Sequence, residues 1–363
     1  MRPASVPTNH APHHGWDVTV RPHISTRSRI ALGLATAVAA ASAFAVNAQA
    51  APEDDADNAA KPDAAAAPSG MNGPYLYLGW GNPPDAAQFL QETGNSQLTM
   101  AFILAQGGGC SPAWDGQRPL KGGQDEQTIS AVKEAGGDIT PSFGGWSGSK
   151  LEEVCGSAEE LAAAYQEVID AYGLGSIDID IEAGAIESEE VRQRTIDALK
   201  IVKGQNEGLK VYLTFGTTPE GPNANGEDLI KKGAEAGLDA DGWAVMPFDF
   251  GDGTTDLVAA TKSSVEGLKD MVKDAYGLSD DQAFRKVGFS SMNGHTDVEG
   301  EVVKPGDFQQ MVDWAKDRKL ARVSFWAVNR DRACEGGGEA GSNCSGIEQD
   351  TWAFSKILAG YTG

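Results

Sequence analysis

Histidine is nearly missing from this 363-residue chain: of five, four fall within the first 23 residues, leaving His295 alone in the remainder. A Ser-His-Asp triad or an H-E-x-x-H zinc site therefore has no histidines to work with there, and most hydrolase chemistries are excluded. Positive charge is also scarce, with 29 Lys and Arg against 52 Asp and Glu and a formal charge of −23. Such a surface repels nucleic acid and anionic membranes, and leaves a neutral polymer as an acceptable partner. There is no glycine-rich phosphate loop, and beyond residue 50 no apolar run of membrane-spanning length.

Cysteine is sparse, at four, and no C-x-x-C pair occurs. Cys334 and Cys344 flank a Gly-rich segment that can close on itself, which leaves Cys110 and Cys155 to pair. Of the three possible connectivities this one needs least rearrangement of the chain. A zinc site is the rival reading, and the shortage of histidine speaks against it. No metal and no cofactor are expected.

Residues 1–50 read as a secretory signal region. Arg21, Arg27 and Arg29 precede the apolar run Ile30 to Val46, and a small-x-small cleavage pattern ends at Ala50. A membrane anchor is the alternative, but the run is Ala-rich and short for a bilayer. Residues 51–70 carry almost no large apolar side chain and read as a disordered Ala/Asp/Pro spacer. The expectation is a secreted, extracellular monomer, free of the membrane after cleavage, whose catalytic unit is 71–363.

That unit alternates short β-rich runs with amphipathic stretches of helical period. The runs are 75–80, 98–104, 138–143, 176–182, 210–215, 243–248, 286–291 and 322–328; the helical stretches include 158–172, 188–203, 264–276, 305–319 and 349–358. Eight such units in about 290 residues predict an α/β fold, a single (β/α)8 TIM barrel. An open doubly wound sheet is the alternative.

Within the fourth run, Ser-Ile-Asp-Ile-Asp-Ile-Glu places Asp178, Asp180 and Glu182 on one face of a strand and three isoleucines on the other. Burying carboxylates costs several kcal/mol each unless they are paired, metal-bound or protonated, so folding alone gives no reason for the row. Mutual repulsion along it raises at least one pKa, as an acid catalyst near neutral pH requires. In a barrel the row enters the site at the carboxyl ends of the strands, with Glu182 uppermost. Other strand ends supply Trp80, Ser142, Gly144, Gly145, Trp146, Asp249, Asn293 and Trp326.

Asp178-Ile-Asp-Ile-Glu182 resembles the D-x-x-D-x-D-x-E signature of glycoside hydrolase family 18, the chitinase family, with Gly175 in place of its first Asp. Ser142-Phe-Gly-Gly145 resembles the S-x-G-G signature one strand earlier, and Met246-Pro-Phe-Asp249 sits where the family has M-x-Y-D. Phe325-Trp326 through Asp331 looks like the strand-eight end of secreted actinobacterial chitinases. The resemblance implies hydrolysis of β-1,4-linked N-acetylglucosamine polymers, with chitin or chito-oligosaccharides as partner, by a retaining mechanism without a protein nucleophile. It makes Glu182 the acid and base, Asp180 the group that orients the substrate acetamido, and Asp178 a sharer of Asp180's proton. Trp326 becomes the sugar floor, and Gly144 and Gly145 admit backbone close to the acidic row. Phe248 lacks the hydroxyl with which many members hold the acetamido group, and Tyr77, Asn293 or a water are candidates to replace it. An endo-β-N-acetylglucosaminidase on N-glycans and a non-catalytic chitin-binding lectin on the same barrel are alternatives, the lectin disfavoured by Glu182. Only about thirty residues separate the last two runs, which suggests an open cleft and endo cleavage.

Duller readings stand beside these. Met246 and Phe248 suit packed core; Trp80 and Trp146 suit core or substrate equally; Trp114 suits a sugar platform or loop packing; Arg330 and Asp331 suit a structural ion pair; His295 suits an ordinary loop.

Overall fold

A computed structural model describes residues 72–362; the signal region 1–50 and the spacer 51–70 lie outside the described residues. Eight parallel strands follow one another around a barrel: β1 (Tyr75–Tyr77), β2 (Gln97–Ala105), β3 (Asp138–Gly144), β4 (Ser176–Asp180), β5 (Lys210–Gly216), β6 (Gly242–Met246), β7 (Val287–Met292) and β8 (Arg322–Trp326). This is the expected (β/α)8 fold. Helices cross over between them: α1 (Ala86–Thr93), α2 (Gln124–Glu134), α3 (Ala158–Tyr172), α4 (Glu189–Gln205), α5 (Ala224–Ala236), α6 (Leu257–Tyr276), α7 (Pro305–Arg318) and α8 (Ala353–Ala359). None of the described helices is long and apolar enough to cross a membrane.

The main core lies between the strands and the helices. Ile177, Ile179 and Ile181 point outward into it and are fully buried with Leu161, Val168, Ile196 and Leu199 from α3 and α4. Helix ends follow the local chemistry. Ser188 accepts a hydrogen bond from the Val191 amide at the start of α4, and Asp307 reaches back to the Lys304 amide at the start of α7. Gly173 and Gly277 end α3 and α6 in the left-handed conformation, which costs glycine no Cβ clash.

No ladder joins β1 to β8 among the described residues. Side chains bridge that seam. Asn72 Oδ1 accepts from the Val323 amide at 3.0 Å and Ser324 Oγ donates to the Gly73 carbonyl at 2.8 Å. Asn329 spans the top, accepting from the Tyr77 amide at 3.1 Å and donating to the Tyr77 carbonyl at 2.8 Å.

Several boundaries differ from expectation. The first strand stops at Tyr77, because Gly81 takes a positive φ of 75° and turns the chain. The fourth stops at Asp180: the Ile181 amide still donates to the Thr214 carbonyl, but Glu182 already caps the short helix Ala183–Glu187. The sixth helix begins at Leu257 rather than 264, because Asp256 caps it and Ser264 satisfies its hydroxyl on the Thr261 carbonyl. The last helix begins at Ala353 rather than 349, where Asp331 accepts from the Phe354 and Ser355 amides. That cap also corrects the expected Arg330–Asp331 ion pair: Arg330 instead donates to the carbonyls of Gly341, Asn293 and His295. Two additions went unforeseen, a strand Pro112–Trp114 antiparallel to β2, and a hairpin of Gly294–His295 with Val302–Val303 between β7 and α7.

Both expected disulfides form. Cys110–Cys155 ties the segment after β2 to the one after β3, with Cα atoms 4.8 Å apart, and Cys334–Cys344 closes the Gly-rich loop after β8.

Candidate active site

The carboxylates of the acidic row meet three different environments. Asp178 is fully buried inside the barrel and saturated with donors. Its Oδ2 accepts from Tyr75 Oη at 2.8 Å and Ser142 Oγ at 2.7 Å; its Oδ1 accepts from Thr214 Oγ1 at 2.7 Å and from the guanidinium of Arg322. Arg322 reaches this point from β8 and also donates to Thr214 Oγ1 at 2.8 Å. Burial pulls the guanidinium pKa down, but Asp178 more than offsets it and holds Arg322 charged. Asp178 is thus ion-paired with Arg322, and no hydrogen bond joins it to Asp180 among those described.

Asp180, one layer higher, is buried with no hydrogen-bond partner for its Oδ1. Desolvation pushes its pKa well up, and the Glu182 and Asp178 charges push it further, with Arg322 and Lys150 opposing. Glu182 stands past the strand end. Its pKa is raised to about 7, first by desolvation, with Lys150 opposing and Asp249 adding to the rise. A group held there is both donor and acceptor near neutral pH. Ala183, next along, takes a positive φ of 49°, a conformation disfavoured for a residue with a Cβ, and it turns the chain immediately after the acid.

Gly144 and Gly145 do what their spacing implied. Both have positive φ, 96° and 86°, and a Cβ on Gly144 would lie 2.2 Å from the Asp180 carbonyl oxygen. The Gly145 amide donates to that same oxygen at 2.8 Å, so the glycines bind the β3 end directly to the backbone that carries the acid pair. Ser142 is corrected: it is buried at the Asp178 carboxylate, not on the open cleft, because an inward position on a packed barrel layer leaves no room for substrate.

Aromatic rings floor the mouth. Trp326 stacks on Phe102 with centroids 5.6 Å apart and planes 12° from parallel, flanked by Tyr75, Tyr77 and Trp80. The peptides Ala101–Phe102 and Trp326–Ala327 are both cis. Trp80 and Trp146 are 48% and 71% exposed, the two large apolar side chains left open among the described residues. Trp114 is fully buried and donates to Tyr172 Oη, which settles it as core. Met246 and Phe248 are half-buried at the end of β6, and Asp249 follows at the rim.

Asn293 is a second correction. It is fully buried, and its side chain is consumed by the backbone of Ala327, accepting at 3.0 Å and donating at 3.3 Å. It holds the strand end behind Trp326 and has nothing left for an acetamido group. Tyr77 is likewise occupied: its hydroxyl hydrogen-bonds Asp115, and burial followed by that carboxylate raises its pKa.

Lys150, Arg322 and Phe102 were not singled out from the sequence. Lys150 is almost completely buried and donates to the carbonyls of Trp146 at 2.9 Å and Gly148 at 3.2 Å, while its charge lowers the pKa of both Asp180 and Glu182. A lysine after a glycine-tryptophan turn carries no signal of its own.

A parallel barrel whose strand-four carboxylates stand at an aromatic-floored mouth defines a TIM barrel with an acidic site at the carboxyl ends of its strands. The comparisons with known proteins make the class specific. The active domain 2 of a chitinase from Pyrococcus furiosus, also crystallised with chito-oligosaccharides, superposes with a TM-score of 0.74 at 29% identity, over 82% of this chain and 98% of that one. A probable bifunctional chitinase/lysozyme of Escherichia coli (strain K12) is 25% identical over 313 residues, 81% of this chain, and endochitinase 11 of Metarhizium anisopliae 24% identical over 286 residues, 73% of this chain. The chain spans 35% and 53% of the lengths of these two relatives. No protein-family model matches it. The chain is thus similar over its barrel to proteins named as chitinases and to a chitinase catalytic domain of the same fold.

Proposed function

We propose that the protein hydrolyses β-1,4-linked N-acetylglucosamine polymers with retention of configuration, using the substrate's own acetamido group as nucleophile. The observation that carries this reading is the buried Asp180 beside Glu182: its Oδ1 has no hydrogen-bond partner, and Glu182 is held at about 7. Glu182 donates its proton to the glycosidic oxygen as the bond from the anomeric carbon to that oxygen breaks, while the acetamido carbonyl oxygen attacks the same carbon. The resulting oxazolinium ion carries positive charge on its N–H, which donates to the free Asp180 Oδ1. That charge offsets the burial and repulsion that disfavour an ionised Asp180. Glu182, now a carboxylate, takes a proton from water as the water oxygen attacks the anomeric carbon and the bond from that carbon to the acetamido oxygen breaks, which restores the acetamido group and regenerates the acid. Asp178, tied to Arg322, acts electrostatically on Asp180 from one layer below. Trp326 offers a flat ring to the pyranose face.

The cleft is read as open and endo-acting, supported by the modest Gly294–His295/Val302–Val303 hairpin that stands between β7 and α7. Secretion is proposed on the leader pattern together with two disulfides, which persist in oxidising compartments. Sequencing the amino terminus of protein recovered from culture medium tests it, with a start just after Ala50 expected and an intact leader the opposing result.

A fluorogenic chitobioside tests the activity. Release by the wild type and its loss in Glu182→Gln are expected; no release by the wild type overturns the function, and undiminished release by the variant overturns the assignment of the acid. A time course on a long soluble substrate that yields only disaccharide from the first minutes would overturn endo action.

A further inference from the structure

Glu301 is a buried carboxylate outside the acidic row, on the loop of the hairpin between β7 and α7. It does not serve its own loop alone. Its Oε2 accepts from the Asp249 amide at 2.7 Å and its Oε1 from the Gly251 amide at 3.2 Å, while Thr296 Oγ1 donates to Oε2 at 3.3 Å. Asp249 returns the contact: its Oδ1 accepts from the Asp297 amide at 2.9 Å. Each loop thus lends a carboxylate to the other loop's backbone. Asp249 itself takes a positive φ of 55°, a backbone region sparsely used by residues with a Cβ. Asp249 stands near enough to Glu182 for its charge to act there.

We propose that Glu301 is a positioning residue: the reciprocal clamp between Glu301 and Asp249 fixes the loop after β6 against the hairpin after β7 and so fixes where the Asp249 carboxylate stands with respect to Glu182. This rests on Glu182 being the acid of the reaction proposed above. The charged groups that face Glu182 are Lys150 from the loop after β3, Asp249 from the loop after β6, and Asp180 on its own strand. Those around Asp249 are Asp297, Glu301 and Arg330. With the clamp intact, a negative neighbour opposes ionisation of Glu182; with it broken, Asp249 is free to move away from Glu182 and that opposition weakens.

The test is the pH dependence of kcat and kcat/KM on a chito-oligosaccharide for the wild type, Glu301→Gln, Asp249→Asn and the double variant, with Tm recorded for each. Glu301→Gln and Asp249→Asn are each expected to move the alkaline limb to lower pH by roughly half a pH unit. The double variant is expected to move it no further than the larger single shift, because both act through one carboxylate. A limb for Glu301→Gln that coincides with the wild type at a lowered Tm makes the clamp merely structural and overturns the proposal. So do shifts that add in the double variant, or an Asp249→Asn limb that does not move. If Glu301→Gln does not fold, Thr296→Val removes the hydroxyl donated to Glu301 and is read in the same way, with a smaller shift expected and no shift contradicting. Full activity in Glu182→Gln would overturn the assignment of the acid instead, whatever Glu301 does.

Discussion

Replacing Glu182 by glutamine should make the protein more stable at alkaline pH while destroying its activity. The ordinary glutamate value is 4.5 and the folded protein holds Glu182 at about 7, a gap worth roughly 3 kcal/mol at about 1.4 kcal/mol per pH unit. The sign follows from proton binding. Between those values the folded state binds more proton than the unfolded state, so wild-type stability falls as pH rises from about 4.5 and levels off above about 7. Glutamine is neutral throughout and escapes that loss. At pH 8 the variant should therefore be more stable by roughly 3 kcal/mol, seen as a Tm higher by roughly 5 °C for a domain of this size. The advantage should shrink steadily below pH 7 and vanish near pH 4.5. Asp180 titrates with Glu182, so the midpoint of the effect belongs to the pair. Thermal melts of both proteins at half-unit intervals from pH 4 to pH 8.5 are the assay. A stability difference independent of pH, or a variant less stable than the wild type at pH 8, would refute the reasoning that burial and repulsion hold the proton on Glu182.

Breaking the interior ion pair from one side is expected to be costly: Arg322→Met should lose roughly 3–5 kcal/mol in urea unfolding by leaving Asp178 buried and uncompensated, and Arg322→Met/Asp178→Asn should recover part of it. Gly144→Ala places a Cβ 2.2 Å from the Asp180 carbonyl oxygen at a φ of 96°, so activity should fall at least tenfold with a Tm several degrees lower; wild-type values for both would show that the close approach is not required. Trp146→Ala should leave unfolding free energy within about 0.5 kcal/mol of wild type, since the ring is 71% exposed. It should raise KM for long chito-oligosaccharides roughly three- to tenfold, and an unchanged KM across chain lengths would remove Trp146 from the cleft.

The parts of this account that were legible in the sequence are those written locally. Alternation of Ile177, Asp178, Ile179, Asp180 and Ile181 announces a strand with one apolar and one acidic face, and eight β/α units fix its place in a barrel. The paired glycines after Ser142-Phe143 signal a close backbone approach, and the structure supplies the atom approached. What was hidden depends on closure. Arg322 lies 144 residues from Asp178 in sequence, and nothing in Ala-Arg-Val-Ser-Phe marks it as a counter-ion until the eighth strand swings round to face the fourth. Asn293 and Ser142 were read as substrate contacts because short polar side chains at strand ends suit binding as well as packing; the demands of the Ala327 backbone and the Asp178 carboxylate decided between the two. Trp114 suited a sugar platform as well as loop packing because the strand that buries it, Pro112–Trp114, pairs antiparallel to β2 without any alternation pattern of its own.

The most direct test of the central claim is the anomeric form of the first product. When a chito-oligosaccharide is hydrolysed inside an NMR tube and the new reducing end is recorded before mutarotation, attack by the acetamido oxygen followed by attack of water from the opposite face, the one the leaving group vacated, predicts the β-anomer. A new reducing end that appears first as the α-anomer would contradict the division of labour between Glu182 and Asp180 set out here.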